Sequence, residues 1–88
     1  MRNREDLIRP LPRRGQRFRH FKGGIYQVVS LAKHTESNEI LVVYKPDETE
    51  NKRRIRDEYA RPIGMFMSKV DKEKYPDCQQ IYRFELIV

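Results

Sequence analysis

Eighty-eight residues with a net charge of +6 and one cysteine describe a single small domain. A chain of this length buries only about 60–65% of the surface its unfolded form exposes, which suits a binding platform better than a deep catalytic cavity. The lone Cys78 excludes a disulfide framework and a cysteine-built structural zinc site, and no segment approaches the ~20 apolar residues of a membrane helix.

The first thirty residues alternate charges and lack the apolar stretch of a secretory signal. With a single thiol in the polar "YPDCQQ", a reducing cytoplasm is the expected location and Cys78 reads as a bystander. Residues 1–24 carry eight basic side chains against Glu5 and Asp6, the whole of the net charge of +6, whereas residues 25–88 hold eleven of each sign. An arginine-rich arm on a neutral body suits phosphate backbones or an acidic partner. It also serves, more plainly, as a solvated arm that aids solubility.

Residues 1–15 form this basic leader and 16–88 the domain. Pro10 and Pro12 forbid a helix through that point, so the leader runs extended after at most a turn of helix. Leu7, Ile8 and Leu11 are its candidates for docking on the body. "QRFRHF" alternates, with Phe18 and His20 on one face and Arg17, Arg19 and Phe21 on the other. Lys22-Gly23-Gly24 predicts a turn, because glycine accepts positive φ cheaply. "IYQVVSLAKH" predicts a long strand, "TESNE" a turn, and "ILVVYK" the most buried strand. Pro46 to Arg54 is a polar loop, "IRDEYAR" is extended up to Pro62, and "IGMFM" has room only for a turn of 3₁₀ helix. "SKVDKEKYPDCQQ" is a polar connection with a brief strand near Val70. "IYRFELIV" closes the chain, with Tyr82, Phe84 and Leu86 opposite Arg83 and Glu85. Short strands at this spacing predict a closed or nearly closed small β-barrel, which hides sheet edges.

"RHFKGG" poses the sharpest chemical question. Its paired glycines lead into a strand, with no helix N-terminus to hold an anion, so it is a hairpin corner and not a Walker or dinucleotide loop. His20 and Lys22 can still line a site from there. His20, His34 and Glu36 are residue types able to bind a metal or move a proton, but their spacing requires neither, and no metal or cofactor is expected. Ser30, Ser37 and Ser68 lack a nucleophile-elbow context. Arginines and aromatics interleave around Phe18, Tyr59 and Phe84. Strand alternation explains most of this, with rings in the core and guanidinium groups in solvent. The functional alternative is a concave face where Tyr26, Tyr44 or Tyr59 stacks a base while Arg61, Arg83 and Lys22 hold phosphate or carboxylate.

These stretches resemble a bacterial family, domain of unknown function 1653, over Gln16 to Ile87. The matches are the corner His20, Phe21, Lys22 and Gly23, the pair His34 and Glu36, and the strand Val42, Val43 and Tyr44. Arg61, Pro62 and Phe66 follow, then Arg83 and Phe84. Tyr59 departs from the pattern, which usually has tryptophan there, and the loops Pro46–Arg54 and Asp71–Gln80 look long. The resemblance implies a small SH3-like barrel and no established activity. Its polar positions exceed what an all-β core needs, so several are expected to converge on one pocket.

The expected fold is therefore mainly β: an SH3-like barrel of about five strands with a single-turn 3₁₀ helix and an extended leader. The expected function is a cytoplasmic binding module for an anionic ligand, a nucleotide or nucleic acid. Its candidate ligand-binding residues are His20, Lys22, His34, Glu36, Tyr44, Tyr59, Arg61 and Arg83. The alternatives are a small hydrolase or transferase on a nucleotide-like substrate, using His20, His34 and Glu36, and a peptide-gripping interaction barrel with a protein partner. No membrane partner is expected.

Overall fold

Strand β1 (Arg17–His20) turns at Phe21–Gly24 into β2 (Ile25–Lys33) in the computed structural model, which describes residues 9–47 and 57–88. The corner closes through His20 N–H to Gly24 O at 3.0 Å and Gly23 N–H to His20 O at 2.9 Å. Gly23 and Gly24 sit at φ +105° and +88°, so the corner needs glycine, as the sequence predicts. Gly24→Ala should cost about 1–2 kcal/mol from backbone strain alone, since its added Cβ meets only the Tyr26 side chain at ordinary contact distance, 3.6 Å from Cε2 at the nearest. Thermal unfolding of the variant measures this.

Asn38, at φ +64°, turns β2 into β3 (Ile40–Pro46), and β4 (Tyr59–Pro62) lies along β3. Pro62 cannot continue the ladder, and α1 (Ile63–Phe66) follows. This turn is α rather than the expected 3₁₀, because Met67 N–H reaches back four residues to Ile63 O at 2.9 Å. β5 (Phe84–Ile87) returns to pair with β1, and all pairings are antiparallel in the order β4-β3-β2-β1-β5. The brief strand expected near Val70 is a bridge between Lys69 and Tyr82.

A flat sheet would hold β4 and β5 about 19 Å apart, four strand spacings. Yet the Arg61 guanidinium carbon, on β4, lies 5.4 Å from the ring centre of Phe84, on β5. The sheet therefore curls into a half-barrel whose two edges meet through side chains. A bulge between Val28 and Ser30 helps, since it sharpens the local twist.

The concave side holds the core: Phe18, Val28, Val42, Tyr44, Phe66 and Phe84. Phe66 stacks on Phe84 at 4.1 Å between ring centres and meets Phe18 edge-on at 5.2 Å. So α1 plugs the open end with one ring. Among the described residues no helix is long and apolar enough to cross a membrane.

Several expectations change. β3 is the most buried strand, as expected, but only alternate residues, Val42, Tyr44 and Pro46, are buried, and Ile40 at its start is exposed. The opposite face, Leu41, Val43 and Lys45, is only half-buried, because a half-barrel has only one inside. Leu11 is 60% exposed and Pro12 is buried in its place, while Leu7 and Ile8 lie outside the described residues, as does most of the loop that follows Pro46. The described part of the leader, from Arg9 on, is nevertheless attached. Arg9 donates to Met67 O and Phe84 O and lies 3.8 Å over the Tyr82 ring, and Arg14 donates to Val29 O at the bulge. Arg17 pairs with the buried Asp47. Three of the basic residues read as a free arm are thus spent within the fold. Leu86, which alternation places on the face of the buried Phe84, is exposed on the edge strand β5.

Candidate functional site

Cross-strand register brings the site together. His20 stands opposite Phe84 across β1 and β5, and Tyr44 opposite Tyr59 across β3 and β4. Curling the sheet turns these pairs toward each other, with Tyr26 between them. The result is a cleft of about 200 Å³ lined by His20, Tyr26, Tyr44, Tyr59, Arg61 and Phe84, to which every strand contributes.

The walls are rings in contact. Tyr44 lies 5.4 Å from Phe84, 5.6 Å from Tyr26 and 5.8 Å from Tyr59 between centres. His20 packs edge-on to Phe84 at 4.7 Å and to Tyr26 at 6.1 Å. Arg61 lies over this box, its guanidinium carbon 5.4 Å from Phe84 and 6.0 Å from Tyr44. The box is already occupied by its own cation. An aromatic cage of this kind would take a methylammonium in an open protein, but here Arg61 stands in that place and repels a second positive charge. Its N–H groups instead favour a carboxylate or phosphate. A volume of about 200 Å³ lies below the ~300–1,000 Å³ of drug-sized pockets, so the cleft admits one planar ring or compact anionic group.

The protonation pattern agrees. The backbone N–H of Lys22 donates to His20 Nδ1 at 3.2 Å, which requires a lone pair there and leaves the ring proton on Nε2. Burial holds the imidazole below its ordinary value of 6.5, and the charges of Arg61, Lys22 and Arg83 push it the same way. Burial also raises the Tyr44 phenol, against the opposing charge of Arg61. Because the folded-state value of His20 is depressed, its contribution to stability is present above pH 6.5 and is lost as pH falls through the folded midpoint. NMR titration should place the His20 midpoint below 6.5, and Arg61→Gln should raise it.

Of the candidates drawn from the sequence, His20, Tyr26, Tyr44, Tyr59 and Arg61 share the cleft. Arg83 and Lys22 are close enough to act on His20 by charge. Arg83 Nε is buried and has no hydrogen-bond partner among the described residues. His34 and Glu36 are not brought there. They lie beyond the far end of β2, roughly 25 Å along the strand from Tyr26. His34 Nδ1 accepts the N–H groups of Glu36 and Ser37 at 3.1 and 3.3 Å, so this pair builds the β2–β3 turn. Among the described residues no three of His, Cys, Asp and Glu gather as metal ligands. Phe84 is the lining residue that reads from sequence as plain core. Only its pairing with His20, 64 positions earlier, puts its ring in the cleft wall.

The model of a family described as "Protein of unknown function (DUF1653)" matches residues 16–86. No curated protein and no solved structure matches the chain.

Proposed function

The chain belongs to this family across nearly its whole barrel, and we propose that it is a cytoplasmic binding module whose ligand is anionic, a nucleotide or nucleic acid, taken at the Arg61 cleft. The observation behind this reading is the aromatic box already holding a guanidinium. It offers ring faces for stacking and a fixed positive charge at one place, the two things a base with its phosphate requires. Tyr59, 43% exposed at the rim, supplies the accessible face, and Tyr44 and Phe84 supply the rigid floor. His20, carrying its proton on Nε2, adds a neutral donor.

Amide NMR shifts recorded while nucleoside monophosphates are added, at low and high salt, test the reading. Shifts centred on His20, Tyr59 and Arg61 that survive high salt are expected. Shifts confined to the leader that vanish with salt would refute it. So would binding of neutral peptides in the cleft with no response to nucleotide.

A further inference from the structure

A second, wider groove opens on the other side of the hairpin corner, about 860 Å³ in volume. It is lined by Phe21, Lys22, Lys74, Tyr75, Asp77 and Glu85, among others. The two sites are joined by rings: His20 to Phe21 at 4.8 Å, then Phe21 to Tyr75 at 5.0 Å. Lys22 and Lys74, far apart in sequence, bring their ammonium groups to 5.4 and 5.6 Å from the centre of the Tyr75 ring. Neither is paired with a carboxylate among the described residues. Glu85 also lines this groove, but its Oε2 accepts the N–H groups of Ile81 and Tyr82, at 3.0 and 3.1 Å. Asp77 is the remaining acid there. A hydrogen bond from Lys22, then the nearby lysine charges, draws the Tyr75 phenol below its ordinary value. Two ammonium groups beside one aromatic ring, neither with a carboxylate partner among the described residues, make a place for an anion of several oxygens.

We infer that the protein binds single-stranded nucleic acid across both subsites, with one base at the Arg61 cleft and the phosphate of a neighbouring nucleotide between Lys22 and Lys74. This rests on the reading of the cleft given above. A duplex hides its base faces, whereas a single strand presents them to a track of rings with cations beside it.

The test uses the full chain with three probes: a nucleoside monophosphate, a single-stranded hexanucleotide, and a duplex of equal length. The hexanucleotide should bind about tenfold more tightly than the mononucleotide, because its second contact is intramolecular. Lys74→Ala should weaken the hexanucleotide about fivefold. It should also flatten the slope of log affinity against log salt by about 0.7 while leaving the mononucleotide unchanged. Asp77→Asn should strengthen hexanucleotide binding. Lys74 is exposed, so folding is not at stake. Equal affinity for the hexanucleotide and mononucleotide overturns this inference and spares the cleft, as does a Lys74→Ala effect of equal size on both. Preference for the duplex overturns it too. Failure of every probe removes both.

Discussion

Phe66→Ala is expected to destabilise the domain by about 3–5 kcal/mol. Phe66 is fully buried, and its ring stacks on Phe84, meets Phe18 and lies 5.4 Å from Tyr44. It is the one fully buried side chain of α1, with Ile63 packing against the core beside it. Truncation would empty the space between the two edges of the half-barrel, where few neighbours can move in. A chain of this length has about 4–13 kcal/mol of total stability, so the loss is a large share of it. Urea unfolding should show a lower midpoint with little change in slope. Phe66→Leu should cost much less, because it keeps most of the volume. A near-neutral Phe66→Ala would mean that α1 does not plug the barrel. The cleft would suffer as well, since Phe84 would lose the ring that fixes its orientation.

Arg61→Ala should weaken binding of a nucleoside monophosphate about thirtyfold, or about 2 kcal/mol, while leaving the fold intact. The fold survives because Arg61 is only half-buried on an edge strand and packs on rings that remain. Binding suffers because the cleft loses its fixed charge. Arg61→Lys should recover part of the affinity, since an ammonium keeps the charge but not the planar fork that lies over Phe84 and Tyr44. Arg61→Ala should also raise the His20 midpoint, which gives a check independent of ligand. Unchanged nucleotide affinity in Arg61→Ala, with the His20 midpoint raised as expected, would show that the cleft is built as described but is not the binding site. Calorimetry and histidine NMR on the same samples separate these outcomes.

Local chemistry written along the chain determined much of this protein. Period-two alternation placed Phe18 and His20 on one face, paired glycines required the corner after Lys22, and Pro62 ended β4. Each of these depends on a few neighbouring residues and on backbone geometry alone. Tyr44, Tyr59 and Arg61 were legible as candidates, but alternation along strands accounts for most rings beside arginines, and only the curled sheet gathers these three in one cleft. What only the tertiary structure decided was which strands meet. His34 and Glu36 have the chemistry of a site, but they sit at the turn end of β2, where their hydrogen bonds are spent locally. Phe84 and Tyr75 carry no local mark of function. Phe84 joins His20 because the last strand returns to the first, and Tyr75 reaches Phe21 and Lys22 from the loop before that strand, long-range contacts that no short window of sequence encodes. The helical turn is α rather than 3₁₀ on a single hydrogen bond, from Met67 N–H to Ile63 O, a margin too small for composition to settle.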